Sequence, residues 1–524
     1  MKKIVSLLLI FIIAFSFASC GGEDFSFVYE METAPRNLDP LLAESESEVT
    51  LSGNLFEGLM RFDDNGKLQN AGAESYEMSE NGTVYTFKLK KSLKWSNKEP
   101  VTANDYVFAL RRAATPSTAS PYTDIISVIK GVDDALAGKI SPDGIGVSAI
   151  DDYTLRFTLN SPCNNFTERL AHLAFMPCNQ KFFEKSKGKY GLDAETIISN
   201  GSFSLYRWDK EKGELKILKS DTYKGDFKSK ASAVSFTVPS DSEEKHAVAK
   251  RISKRNINFT KIPFGEIEEC LKSGNGVYNS YSITYALVFN AESEIFKNSA
   301  FAAAFKKDLN GDNISQSLPS YFKAAAGIVP YDCNSDNSEG STQQIYNYDP
   351  TGARNEFLTA QSKLDDGFPN GISILCENDE DILAVAKTAA STWQKDLGAY
   401  INIEKAKNTD ELNEKISSGD FSIALIPFAS SDLKAENFLS SFVSSVNLPD
   451  LNKKEFQNNL NAAYADDDGT SEQYIKAAES ILLQSNYICP LFFAPVSYTY
   501  SSTLDGNSIH FHGGYPDFSS ICKK

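Results

Sequence analysis

Only one stretch of this 524-residue chain is apolar enough to leave water, and it stands at the start. Lys2 and Lys3 precede a mainly apolar run from Ile4 to about Ala18, which reads as a secretory leader (residues 1–19) rather than fold-forming sequence. No later segment approaches ~18 consecutive apolar residues, so the rest is expected to fold in water, outside the cytoplasm, around its own core. The length suffices for a large core and excludes a single small disulfide-stapled module. Hydrophobic residues at 41%, with 35 Phe and 23 Tyr, can fill such a core and rule out global disorder. A net charge of −17 repels phosphate backbones, and no local basic patch offsets it, so no nucleic-acid partner is expected.

The leader ends Phe17-Ala18-Ser19-Cys20 before Gly21-Gly22, a pattern that resembles a bacterial lipobox. Cys20 is the expected lipidation site, and its acyl chains would hold the mature body at a membrane surface. Export permits disulfides, yet the seven remaining cysteines are an odd number and form no CxxC or Cys/His cluster of zinc type. Cys163 with Cys178 is the one pairing expected.

Strand and helix signals alternate. Phe25 to Glu30 has strand character, and Thr83 to Lys90 alternates apolar and polar residues after the turn pair Asn81-Gly82. Thr102 with Asp105 three positions on opens a helix over Tyr106 to Ala114, stopped by Pro116. Ile150–Leu159 and Leu215–Lys219 read as further strands. Asp379–Leu397 reads as a long helix with Leu383, Ala386, Ala390, Trp393 and Leu397 on one face. Mixed elements predict α/β or α+β layers, and a long chain without a repeat or a low-complexity linker favours interleaved domains.

Particular residues carry a family likeness. They are Leu38-Asp39-Pro40, Asn54 to Leu59, Tyr85 to Leu89 running into Lys94-Trp95-Ser96, Pro100 to Asp105, Thr115 to Tyr122, Val147 to Leu159 and Asn200 to Phe203. Sparser anchors follow at Asn290, Gly327 to Pro330, Tyr348-Asp349-Pro350, Trp393, Leu397-Gly398 and Pro490 to Phe493. Together they resemble the solute-binding proteins of bacterial peptide-type ABC importers, the oligopeptide/dipeptide/nickel-binding family (extracellular solute-binding protein family 5). The resemblance spans nearly the whole mature chain and is densest over residues 37–225. It implies a two-lobed periplasmic-binding-protein-like fold with an inserted domain and a hinge. Lobe I would take residues 24–52, 170–280 and 495–524, the insertion 53–169, and lobe II 281–494. It also implies an extended peptide or peptide-like solute held between the lobes through its backbone, delivered to an ABC permease and its ATPase subunits. The protein would be a monomer, tethered by lipid to the outer face of the cell membrane or resident in the periplasm.

The same resemblance marks five ligand-binding positions. Glu44 stands where relatives keep a carboxylate near the ligand, though it could equally be a solvated member of the acidic run Glu44, Glu46, Glu48. Tyr122 matches a tyrosine near the cleft, or is a packed aromatic. Relatives typically carry Gly-Trp-x-x-Asp-Tyr, whose Asp pairs with the ligand's amino group; here the segment is Pro427-Phe428-Ala429-Ser430-Ser431-Asp432. Phe428 keeps the aromatic, Ser431 falls at the Asp position, and Asp432 is one residue off. A buried ammonium needs a partner, so either Asp432 or Glu44 is expected to compensate.

No catalytic residue, cofactor or metal is expected. His510 and His512 share one strand face but have only Asp517 and Cys522 nearby in sequence, and a surface strand accounts for them. Asp308 to Asp312 lacks the glycine placement and terminal glutamate of a calcium loop and reads as helix-ending turn chemistry. Phosphate-binding loops and a GxSxG elbow are absent. A non-transporting sensory or adhesion lipoprotein on the same fold is the alternative that the altered 427–432 segment raises.

Overall fold

The computed structural model describes residues 25–163, 165–210, 213–239, 248–255, 257–333, 348–365, 367–430, 434–465, 471–512 and 514–524. The expected leader, Cys20, Ser431 and Asp432 lie outside the described residues. Among those residues, no helix is long and apolar enough to cross a membrane.

Local chemistry starts the fold. The carboxylate of Asp105 accepts the Thr102 N–H at 2.7 Å, closing a capping box that starts helix Ala103–Ala113. Asn81-Gly82 turns the chain into strand Val84–Leu89, with Gly82 at φ +66°. The stretch Ile150–Leu159 departs from expectation. It is two antiparallel strands, Val147–Asp151 and Thr154–Thr158, because Asp151 accepts the Tyr153 N–H at 2.8 Å and the Thr154 hydroxyl at 2.8 Å, making a tight turn of its own. These strands join Val84–Leu89 and Ala73–Met78 in a four-stranded antiparallel sheet. Asp379 caps helix Glu380–Asp396, which buries Ala386 and Trp393 as its periodicity predicts. The indole N–H of Trp393 is satisfied by the Phe305 carbonyl at 2.9 Å. Helix Ser299–Lys307 ends at Asp308, the helix-ending role expected of that loop, and Asn310 then caps the next helix, Gly311–Ser317.

The main sheet has eleven strands. From one edge they run Asn402–Ala406, Ser373–Glu377, Ile423–Ala429, Gly276–Phe289, Ile488–Tyr500, Phe259–Ile262, Ser26–Glu30, Ala233–Thr237, Glu214–Lys219 and Phe203–Asp209; Lys323–Ala324 adds to Ile488–Tyr500. Apolar side chains divide over this sheet into two large cores. One gathers residues between Phe27 and Phe259 together with Tyr498 to Ile521; the other gathers residues between Tyr285 and Ala494. Two long strands rich in β-branched and aromatic residues, Gly276–Phe289 and Ile488–Tyr500, pass from one core to the other as an antiparallel pair. Their register breaks between Ser280 and Ile283, opposite Val496 and Ala494, at the passage between the cores. The architecture is α/β and two-lobed.

The expected Cys163–Cys178 disulfide is not formed. Both thiols are free: Cys163 Sγ lies 3.1 Å from Asn165 Oδ1, while the buried Cys178 Sγ lies 3.4 Å from Arg112 Nη1. Burial raises both thiol pKa values, that of Cys178 to about 12, so neither is primed for exchange.

Candidate functional site

A cavity of about 490 Å³ opens between the two bodies. On the first body its wall comes from the turn Glu168–His172, from Arg61 and from His512 and Tyr515 of the C-terminal hairpin; on the second it comes from helix Ala435–Ser445 and Tyr464. That helix is amphipathic in a particular way. Phe438, Leu439 and Phe442 are buried in the second core, which turns Ser440, Ser441, Ser444 and Ser445 onto the cavity side at i, i+1, i+4 and i+5. Its hydroxyl face opposes a wall carrying arginine and histidine.

Polar bonds cross the cleft. Lys434 Nζ meets Glu168 Oε1 at 2.6 Å, and Asn165 Nδ2 donates to Asn437 Oδ1 at 3.1 Å, an oxygen that also accepts the Tyr464 hydroxyl at 2.9 Å. Asn165 in turn accepts Arg169 Nε at 3.2 Å, which orients the guanidinium at the cavity wall. His172 Nδ1 accepts the Ala174 N–H at 3.1 Å, leaving Nε2 to carry the proton of a neutral ring. Burial, reinforced by Arg169, lowers the His172 pKa to about 4. Deeper in the wall, Arg61 is clamped by Asp517 at 2.5 Å and stacks on Phe227 at 4.1 Å; it keeps the buried Asp517 carboxyl below its usual range despite the opposing effect of desolvation.

Of the five expected ligand positions, the structure brings Glu44 and Tyr122 together. The Tyr122 hydroxyl donates to the Ala43 carbonyl, and its ring packs edge-on against His172 at 4.8 Å. Burial, then the nearby charges of Glu44 and Glu48, raise the Tyr122 pKa to about 12. Glu44 is exposed, 3.6 Å from Arg36, and is not among the residues lining the cavity. Glu48, from the same acidic run, is buried and accepts three backbone N–H groups at the start of helix Glu46–Leu55, a structural role. Phe428 belongs to the other body, half-buried against Phe442 at 4.5 Å, directly beneath the serine helix. Ser431 and Asp432 lie outside the described residues. Strand Ile423–Ala429 is bonded along its whole length to Gly276–Phe289, whereas its pairing with Ser373–Glu377 is recorded only at Ile423 and Ala424.

Arg169, His172, Asn437 and the four serines are the wall residues that sequence reasoning missed. Asn165 and Asn437 are 272 residues apart, so no local signal joined them.

Two α/β bodies, joined by a pair of long strands and enclosing a polar cavity, define the class of two-lobed binding proteins. Residues 67–450 match the model for bacterial extracellular solute-binding proteins, family 5 (middle), and the chain belongs to that family. It is 27% identical to the oligopeptide-binding protein OppA of Bacillus subtilis (97% of each chain covered) and 26% identical to the dipeptide-binding protein of Lactococcus lactis (96% of each). Among solved structures, Haemophilus influenzae OppA in complex with the peptide RPPGFSPFR superposes with a TM-score of 0.73 at 24% identity, covering 96% of this chain and 99% of that one.

Proposed function

We propose that this protein is the extracytoplasmic receptor of an ABC importer, capturing a peptide or peptide-like solute between its lobes and passing it to the permease. The observation that carries this reading is the cavity itself: its walls come from two separately packed cores, and the long strand pair that passes between those cores has a broken register at the passage. Such a joint concentrates bending where the ladder is weakest, as hinge closure requires. The neutral His172, Arg169 and the serine face supply polar contacts for an extended ligand. Relatives named for oligopeptide and dipeptide binding support the ligand class. Relatives named as binding proteins favour binding over catalysis. Acylation of Cys20 would keep the receptor at the outer face of the membrane.

Isothermal titration with mixed short peptides tests the proposal, and Asp432→Asn tests its amine partner. The wild type is expected to bind and Asp432→Asn to lose about tenfold or more, the scale of removing one member of a desolvated charge pair. No heat with any peptide pool would contradict the receptor reading; unchanged affinity in the variant would remove Asp432 as the amine's partner.

A further inference from the structure

We propose that Asp64, His510, His512 and Asp517 form a site for one divalent transition-metal ion, best suited to zinc, that staples the Met60–Asn70 hairpin to the C-terminal hairpin. Two of the chain's four histidines stand here, on alternate positions of strand His510–His512, which pairs with Tyr515–Asp517 so that His510 lies opposite Asp517. The sequence gives these histidines only Asp517 and Cys522 as neighbours. Folding adds a carboxylate from 450 residues away: ligand atoms of Asp64, His512 and Asp517 all lie within 4.8 Å of one another.

Three observations go beyond proximity. First, His512 is nine-tenths buried, yet its Nε2 has no hydrogen-bond partner, so a nitrogen lone pair or N–H is held out of water beside two carboxylates. Second, His512 Nε2 and Asp517 Oδ2 stand 3.4 Å apart without hydrogen-bond geometry. For tetrahedral zinc with bonds of ~2.1 Å, the ligand-to-ligand edge is ~3.4 Å, the separation these two atoms already have. Third, His510 Nε2 approaches Asp64 Oδ2 at 3.9 Å, and Asp64 is half exposed, able to close the remaining gap. Its neighbour Asp63 is already committed to the hairpin turn, accepting the Asn65 and Lys67 N–H groups.

Arg61 is the obvious competitor, since its Nη2 bonds Asp517 Oδ2 at 2.5 Å while Oδ1 takes the Ser519 N–H at 2.9 Å. A carboxylate oxygen has two acceptor sites, so Oδ2 retains one. Asp64 and Asp517 together outweigh the guanidinium, which leaves net negative charge at the site. Paired imidazoles and carboxylates favour zinc over calcium or magnesium, whose preference is all-oxygen. Because His512 also lines the cleft, the ion would brace the cleft wall against the inserted hairpin.

The test uses tag-free protein stripped with chelator. Calorimetric titration with zinc chloride should show one site, cobalt should give the visible bands of a tetrahedral centre, and zinc should raise the melting temperature. Asp64→Asn and His510→Gln, at accessible positions, should each weaken zinc at least about tenfold while peptide binding persists. His512→Ala should abolish it, with circular dichroism confirming the fold. No one-to-one zinc binding in the wild type, or undiminished binding in the Asp64→Asn/His510→Gln double variant, as zinc on one of the free thiols would give, overturns the proposal.

Discussion

Ion pairs inside the first body and the ion pair across the cleft are built from the same groups to opposite specifications. Glu30 and Arg251 are both buried and doubly bonded, with Nε–Oε1 at 3.0 Å and Nη2–Oε1 at 2.8 Å; Asp39 and Arg112 meet at 2.5 Å with the guanidinium stacked on Phe183 at 4.0 Å. Glu168 and Lys434, by contrast, share a single contact, with side chains 28% and 30% exposed. Arginine's planar fork fixes one geometry, whereas a lysine on a flexible stem, reachable by water and salt, can be released at small cost. The interior pairs therefore hold a lobe firmly, while the cross-cleft pair is the softer contact, as the proposed closure on a ligand would require.

The largest expected effect follows from breaking an interior pair. Glu30→Gln takes the charged partner out of a buried ion pair and should cost about 3–5 kcal/mol, read as a lowered urea midpoint; a loss below about 1 kcal/mol would mean the interior pairs are no firmer than the surface ones. A medium effect should come from His172 on the cleft wall. Its folded pKa of about 4 lies below the usual value near 6.5, so between those values only the unfolded chain takes up the proton. Stability should be fully present above about pH 6.5 and fall as pH drops toward about 4, and His172→Gln should flatten that slope in pH-dependent melts. The smallest effect belongs to the cross-cleft pair. Glu168→Gln should change unfolding by less than about 1 kcal/mol. Solute affinity should fall by only about two- to fivefold, a difference that shrinks in high salt. An unfolding loss as large as that of Glu30→Gln would erase the contrast.

Local chemistry was legible in the sequence where it was self-contained. The Thr102–Asp105 box, the Asn81-Gly82 turn, the helix over Asp379–Leu397 and the helix-ending turn at Asp308 each depend on residues close in sequence, and each appears where the pattern places it. Ile150–Leu159 failed because one side chain, Asp151, built a turn inside an otherwise strand-like run. The two-lobed α/β architecture came through the family likeness, not through periodicity, since eleven strands in one sheet have an order no local pattern encodes. The cleft was legible only in part. Tyr122 packs on the wall residue His172 and Phe428 on Phe442 beneath the serine helix, neither lining the cavity itself; Arg169, His172 and Asn437 carry no motif, and chain crossings between distant segments bring them to one cavity. Asp64 beside His510 and His512 is the same lesson at a second place.

Native mass spectrometry of the protein purified from its own host, without refolding, tests the central claim most directly. The account predicts a population heavier than the bare chain by masses that resolve, on collisional release and fragmentation, into short peptides or peptide-like solutes. Protein recovered only at its bare mass, and still without adduct after incubation with peptide pools, would contradict it.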